Sequence, residues 1–247
     1  MNATAALPLV EHPSELKPLK PMDLIESLLL FGVPTAALAA SMLWLWPTLT
    51  SAGMDRATAY AVSLTWVNIF LLVASIVGHA LEGNLLTWSA YAQRMRLTRM
   101  TGRIWLWVIL GTIFYLVLSL LVNIIAFPLF DLLKFTPPTI PWTPLPAWMN
   151  IIVLFFNIVG EELWWRGYIL PRQELSFGKR AWLLHGILWA CFHMYKWFTV
   201  PFMMLTTWVI PFIAQRTRNT WPGIISHACL NSAGPIAEII LTALNLV

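Results

Sequence analysis

Residues 104–127 read IWLWVILGTIFYLVLSLLVNIIAF, a run without one charged side chain. A membrane-spanning helix needs about 20 consecutive, mostly apolar residues, because each residue adds about 1.5 Å along the axis and the hydrocarbon core is about 30 Å thick. The run is long enough and apolar enough to meet this requirement. We therefore predict a transmembrane helix here.

Several other stretches of the chain have the same character. The chain is 59% hydrophobic and only 11% charged, whereas soluble domains carry about 25% charged residues, so a bilayer must solvate much of its surface. We predict an all-α, polytopic transmembrane helical bundle of about seven to eight helices, with an eighth helix if Gly234-Pro235 breaks the last run. Besides 104–127, the predicted spans are residues 24–46, 60–79, 149–170, 181–195, 198–214 and 221–247.

The first 23 residues differ from the rest of the chain. Residues 1–23 are rich in proline and acidic side chains and have no apolar core. We therefore expect no cleavable signal peptide, and we expect residues 24–46 to be a retained anchor. The predicted organisation is an N-terminal cytoplasmic segment, 1–23, followed by a single integral membrane domain, 24–247.

The basic residues predict the orientation of the bundle. The segment from Trp88 to Arg103 carries four arginines among apolar residues, which is typical of an amphipathic helix on an anionic membrane surface. If this segment is cytoplasmic and the spans alternate, most of the 15 Lys and Arg residues fall on the cytoplasmic side. The positive-inside rule then places the N-terminus in the cytoplasm, and we expect a multi-pass protein of a bacterial-type inner membrane. The net charge of +4 gives no reason to infer a nucleic-acid partner.

The span 149–170 contains charged side chains at membrane depth. Glu161, Glu162 and Arg166 each cost about 2.5–3.5 kcal/mol on insertion scales. Glu162 and Arg166 are four residues apart, in the order that favours an ion pair, which predicts a buried salt bridge that fixes helix packing. Glu161 points about 100° away. It is either a second arm of that bridge or an unpaired intramembrane carboxylate with a function.

Two further spans place histidines at similar depth. His193 is either a hydrogen-bonded packing residue or part of a site, and His227 with Asn231, four residues on, suits either an interhelical clamp or a site. On the predicted topology, Glu161, His193 and His227 lie about 14, 18 and 9 Å from the cytoplasmic ends of their helices. These depths allow one carboxylate, two imidazoles and an amide to converge.

Such a cluster contains the groups that peptide hydrolysis requires. Glu161 with His193 could take a proton from a water that attacks a peptide carbonyl. His227 and Asn231 could donate hydrogen bonds to the oxyanion of the tetrahedral intermediate. Glu161, His193 and His227 could instead hold Zn²⁺ with a bound water. The residue types alone leave both mechanisms open.

Three motifs in this order resemble the signature motifs of the CPBP family: Glu161-Glu162-x-x-x-Arg166-Gly167, a motif ending at His193, and His227-x-x-x-Asn231. That family comprises CAAX-processing (Ras-converting-enzyme-like) and Abi-type intramembrane endopeptidases. The resemblance covers roughly residues 149–235, the predicted catalytic core. The family usually has Phe four residues before the histidine of the second motif, whereas this chain has Trp189.

The resemblance implies an intramembrane endopeptidase that hydrolyses a peptide bond of a membrane-associated protein or peptide, near the C-terminus of that substrate. It implies that Glu161 and His193 activate water and that His227 and Asn231 form the oxyanion hole. The residues implied to support the site are Glu162, Arg166 and Trp189.

The family has been described both as glutamate proteases and as metalloproteases. We favour the glutamate mechanism with no bound cofactor, because the Asn231 amide is a poor zinc ligand and a good oxyanion donor. The alternative is Zn²⁺ held by Glu161, His193 and His227.

Two non-catalytic hypotheses compete with the protease. The first is an ion-coupled transporter, because intramembrane Glu, His and Arg also form ion relays. The chain shows none of the repeated halves that many transporters have. The second is a membrane scaffold or immunity protein that keeps the motifs and acts by binding. A Glu161→Ala variant that still supports the biological role would favour the scaffold.

Overall fold

The computed structural model describes residues 16–137 and 145–243, with side chains as far as residue 232. The regular structure in these ranges is helical and contains no β-strand, which confirms the all-α prediction of about seven to eight helices. Residues 1–15 of the N-terminal segment and 244–247 of the last predicted span lie outside the described residues. The helices are α1 Leu24–Ser51, α2 Arg56–Leu81, α3 Trp88–Arg94, α4 Gly102–Leu132, α5 (residues 147–177), α6 Ala181–Phe192, α7 Val209–Thr217 and α8 Trp221–Ala243.

Local sequence sets where these helices begin. Asp23 precedes α1 and its side chain accepts a hydrogen bond from the backbone N–H of Glu26 at 2.7 Å. Asp55 caps α2 in the same way, and Thr101 caps α4. Each cap satisfies backbone donors that the first helical turn leaves without a partner.

Within the described residues, four helical runs are long and apolar enough to cross a membrane: Leu24–Ser51, Arg56–Leu81, Gly102–Leu132 and Ala147–Phe192. In α4, large apolar side chains are exposed around the helix, among them Leu106, Ile113, Leu120 and Phe127. Soluble monomers rarely expose so large a continuous apolar surface. The exposed surface is therefore the one that faces lipid in an integral membrane protein.

Helix α5 changes its winding where it carries the two adjacent glutamates. Its ends are α-helical, but Phe156–Gly160 and Leu163–Ile169 are π-helical turns. Glu161 and Glu162 lie between these two turns. Such turns often occur at functional sites, because they re-aim the side chains next to them. Helix α5 ends at Gly178, whose φ of 58° is a conformation that glycine adopts without strain.

The predicted fifth and sixth spans form a short hairpin in place of two full-length helices. Helix α6 has 12 residues and α7 has nine, so they are about 18 and 14 Å long. Because the chain turns between Met203 and Val209, the prediction of one helix over 198–214 is wrong. Pro201 lies in the first turn of the short helix Val200–Met203 and Pro211 in the first turn of α7, where a missing backbone N–H is tolerated.

The last helix also differs from its prediction. Helix α8 continues from Trp221 to Ala243 through Gly234 and Pro235, so the expected break and extra helix at these two residues are wrong. Membrane helices tolerate an internal proline because neighbouring groups and local adjustments satisfy the freed carbonyl.

The amphipathic helix expected over residues 88–103 is present only in its first half, since α3 ends at Arg94 and residues 97–101 are not helical. Two of the four arginines form ion pairs with glutamates of the protein: Arg94 pairs with Glu82 at 2.6 Å, and Arg96 pairs with Glu174 at 2.7 Å. These pairs join the ends of α2, α3 and α5. Which side of the membrane this end of the bundle faces stays a prediction.

We call this end of the bundle the basic face. Its basic residues are Arg94, Arg96, Arg99, Arg103, Arg172, Lys179, Arg180, Arg216 and Arg218.

Candidate active site

The site is built where α5 packs closely against α2 and α8. A Cβ on Gly160 would overlap the backbone carbonyl of Asn68 in α2, and a Cβ on Gly223 in α8 would overlap the Glu162 side chain. Glycine at these two positions therefore lets both helices approach the turn that carries Glu161 and Glu162. Both glutamates are fully buried as a result.

Glu162 is the centre of a buried ionic group. Arg166 Nη1 lies 3.0 Å from Glu162 Oε1, so the predicted i, i+4 pair is present, and both side chains are fully buried. His227 Nδ1 lies 2.9 Å from the same carboxylate oxygen. The Arg166 guanidinium also lies over the Trp189 ring, with Cζ 3.8 Å from the ring centroid. This group ties α5, α6 and α8 together.

Glu161 points away from this pair, as its position on the helix predicts. Trp189 Nε1 donates a hydrogen bond to Glu161 Oε2 at 2.7 Å, and Asn157 Nδ2 donates to Glu161 Oε1 at 2.8 Å. Each oxygen of the carboxylate keeps a further lone pair. Glu161 is thus held by neutral donors on α5 and α6 and is not a second arm of the salt bridge.

His193 follows the C-terminal end of α6, one turn after Trp189. Its Nδ1 lies 3.0 Å from the Trp189 carbonyl oxygen. A carbonyl only accepts hydrogen bonds, so Nδ1 carries the proton and Nε2 of the neutral ring is an acceptor. No hydrogen bond joins Glu161 directly to His193 among the described side chains. Trp189 connects the two, with its indole N–H on one and its carbonyl on the other.

His227 and Asn231 lie one turn apart on α8, on the side that faces α5 and α6. The His227 and Trp189 rings are in edge contact, with centroids 5.4 Å apart. Asn231 Nδ2 donates to Asn157 Oδ1 at 2.6 Å. The structure therefore brings together all four predicted catalytic residues through a few shared neighbours.

The sequence analysis missed one of those neighbours. Asn157 bonds both Glu161 and Asn231, yet no role was predicted for it. The available signal was its spacing of four residues before Glu161, which puts two polar side chains on one face of an apolar helix.

The residues suggested for Zn²⁺ do not fit a zinc site as they are arranged. Within the described part of the chain, no three His, Cys, Asp or Glu side chains are placed to share one ion. The disagreement lies in the placement of these side chains and not in their hydrogen bonds: each Glu161 oxygen keeps a lone pair, and the Nδ1 contacts of His193 and His227 leave both Nε2 atoms available.

A cavity of about 200 Å³ lies between α4 and residues 199–206, and Tyr115 lines its wall. None of the four predicted catalytic residues lines this cavity. The four residues cluster through the contacts described above, and whether they line one common cavity stays a prediction.

Comparison with known proteins finds a family resemblance for the part of the chain that holds this cluster. Residues 143–233 match the family model described as Rce1-like, type II CAAX prenyl endopeptidase. We call these residues the Rce1-like region, after their similarity to that family. No match was found among curated proteins or among solved structures. The Rce1-like region contains Glu161, His193, His227 and Asn231, and its family description is that of a peptidase, which agrees with an intramembrane protease.

Proposed function

We propose that the protein is an intramembrane endopeptidase of glutamate type, which hydrolyses a peptide bond near the C-terminus of a membrane-associated protein or peptide. The observation that carries this proposal is the arrangement around Trp189. A buried carboxylate, Glu161, and a histidine with an accepting Nε2, His193, are held by the same residue. A general base and its partner need this kind of fixed geometry.

In the proposed reaction, a water molecule between Glu161 and His193 Nε2 is the nucleophile. Glu161 takes one proton as the water oxygen bonds to the peptide carbonyl carbon, and the carbonyl oxygen becomes an oxyanion. When the C–N bond breaks, the proton passes from Glu161 to the leaving amine. The products are a carboxylic acid and an amine, so one water is consumed for each bond cleaved.

The donors to the oxyanion come from α8. An amide nitrogen carries two N–H groups. Asn231 uses one on Asn157 and keeps the other for the oxyanion. His227 directs Nδ1 to Glu162, so its Nε2 donates to the oxyanion when the ring carries both protons. Glu162 and Arg166 hold His227 in place and, in this proposal, do not touch the substrate.

The contacts of Glu161 support a mechanism without metal. Two N–H donors on its carboxylate fix the orientation of a general base and leave one lone pair on each oxygen for the proton of the water. Glu161, His193 and Asn231 together supply a base, a partner and an oxyanion donor, so the proposed chemistry requires no ion.

The test is peptide release by purified protein in liposomes. The probes are a fluorogenic peptide ending in a CAAX sequence, with and without a prenyl group on its cysteine. We expect wild type to cleave at least one of them and Glu161→Gln to lose cleavage by a factor of roughly 10²–10⁴, the usual contribution of a positioned general base.

The matched control is Glu174→Gln, on the same helix but at the basic face, where Glu174 pairs with Arg96. It should cleave like wild type. Wild-type rates in Glu161→Gln would contradict the proposal. Ion flux through wild-type liposomes without cleavage of either peptide would favour the transporter.

A further inference from the structure

Asn157 lies between the two halves of the proposed machinery. It accepts a hydrogen bond from Asn231 Nδ2 at its Oδ1, 2.6 Å away, and donates from its Nδ2 to Glu161 Oε1, 2.8 Å away. It is the one described side chain that hydrogen-bonds both the base and the α8 amide. Its own helix places it one turn before Glu161, at the π-helical turn Phe156–Gly160.

The direction of these two bonds is forced by chemistry. An ionised carboxylate can only accept, so Asn157 must turn its NH₂ group toward Glu161 and its carbonyl oxygen toward Asn231. That oxygen in turn can only accept, so Asn231 must turn its own NH₂ group toward Asn157. The charge on Glu161 therefore determines, through Asn157, which way the Asn231 amide faces.

This orientation matters for the oxyanion. With its NH₂ group directed into the site, Asn231 uses one N–H on Asn157 and has a second N–H to offer. With the amide reversed, Asn231 would present an oxygen, which repels an oxyanion. The correct orientation of this donor thus depends on Asn157, a residue with no chemical step in the proposed reaction.

We propose that Asn157 is a positioning residue that couples the Glu161 base to the Asn231 oxyanion donor. The inference rests on the proposed function. When Asn157 is removed, the Asn231 amide becomes free to rotate and Glu161 loses one of its two donors. The loss should appear in the chemical step and not in substrate binding.

The experiment is a double-mutant cycle with wild type, Asn157→Ala, Asn231→Ala and the double variant, assayed for kcat and KM on the cleaved peptide. We expect Asn157→Ala to lower kcat by roughly 10- to 100-fold, since small misplacement of a reacting group costs up to about 10²-fold, with KM within about twofold. In the Asn231→Ala background the same substitution should cost at least about threefold less, as expected for residues in one hydrogen-bond network.

Two further variants separate positioning from loss of structure. Asn157→Ser leaves a space similar to that of Asn157→Ala but keeps a hydroxyl that can donate and accept, so it should be several-fold more active. Asn150→Ala makes the same change on the same helix, where Asn150 is exposed and bonds only the Leu145 carbonyl among the described residues. It should be as active as wild type. Should Asn157→Ala not fold, the same cycle is run with Asn157→Ser.

Equal losses from Asn157→Ala in both backgrounds would overturn the coupling, and so would a loss confined to KM. Wild-type kcat in Asn157→Ala, while Glu161→Gln is inactive, would overturn this inference and leave the proposed function intact. Wild-type cleavage and wild-type kcat in Glu161→Gln would overturn both this inference and the proposed function.

Discussion

Two networks of charged side chains in this protein differ in how fully their buried polar atoms are hydrogen-bonded. At the basic face, Arg94 donates to both Glu82 oxygens, at 2.6 and 2.7 Å, and also to the carbonyls of Gly167 and Tyr168. At membrane depth, Arg166 Nη1 lies 3.0 Å from Glu162. None of the three Arg166 guanidinium nitrogens makes a well-aligned hydrogen bond within the described part of the chain, and Glu162 Oε2 has no partner there either.

The difference indicates what each network does. The network at the basic face uses its hydrogen-bonding capacity on the protein itself and so fixes the ends of α2, α3 and α5. In the network of Glu162 and Arg166, several buried polar atoms have no hydrogen-bond partner among the described residues. Leaving such atoms unpaired in a buried site costs free energy. Buried polar groups of this kind typically mark a functional site in a membrane protein. The following substitutions compare the two networks directly.

The largest effect is expected from Arg166→Met. This change leaves Glu162 as a buried charge without its cation, and breaking such a pair costs about 3–5 kcal/mol of unfolding free energy. Thermal unfolding in detergent measures it. Arg94→Met should cost less, because Glu82 is partly exposed and keeps contact with water. An Arg166→Met variant as stable as wild type but inactive would instead place Arg166 in catalysis or substrate binding.

Asn231→Ala tests the oxyanion donor on α8. Removal of one oxyanion-hole donor typically lowers kcat by roughly 10²–10³-fold, and we expect a loss in that range with unchanged stability. Steady-state kinetics on the cleaved peptide give the value, and elemental analysis should show the same metal content as wild type. A loss below about threefold would remove Asn231 from the oxyanion hole.

Trp189→Phe probes the indole N–H on Glu161. The ring that packs on Arg166 and His227 is kept, while the 2.7 Å hydrogen bond to Glu161 is lost. A hydrogen bond to a charged group contributes about 1.5–3 kcal/mol to stability, so we expect the free energy of unfolding to fall within that range. We also expect kcat to fall about 10- to 100-fold, because Glu161 loses one of the two donors that orient it. Trp182→Phe on the same helix is the control and should leave kcat unchanged. Full activity in Trp189→Phe would show that Asn157 alone holds the carboxylate.

The smallest effect is expected from Arg96→Gln at the basic face. The Arg96–Glu174 pair is partly exposed on both sides, and such pairs contribute about 0–1 kcal/mol. Stability should fall within that range and cleavage should not change. A loss of activity here would mean that the two networks are coupled across the membrane.

Much of the fold could be predicted from the sequence, because a helix that spans a bilayer requires a long apolar run. Long apolar runs give α1, α2, α4 and α8, and the four-residue spacing of Glu162 and Arg166 gives their ion pair. The hairpin of α6 and α7 could not be read in this way, because hydropathy reports apolar character and not where a chain turns inside the membrane. Pro201 and Pro211 were the local signals.

The site was harder to predict than the fold in one respect. The residue types at Glu161, His193, His227 and Asn231 suggested a site, and their depths allowed it. Which groups connect them depends on tertiary packing, which one sequence does not contain. Thus Trp189 was expected to support the site, but its N–H to Glu161 and its carbonyl to His193 were not predicted, and no role was predicted for Asn157.

The central claim is that Glu161 performs hydrolysis in the buried cluster without a metal ion. The direct measurement is peptide cleavage by purified enzyme that has been exhaustively chelated and then checked for metal by elemental analysis. We predict full wild-type activity with no bound metal, and a loss of roughly 10²–10⁴-fold in Glu161→Gln under the same conditions. Activity that is lost on chelation and restored by stoichiometric Zn²⁺ would contradict it.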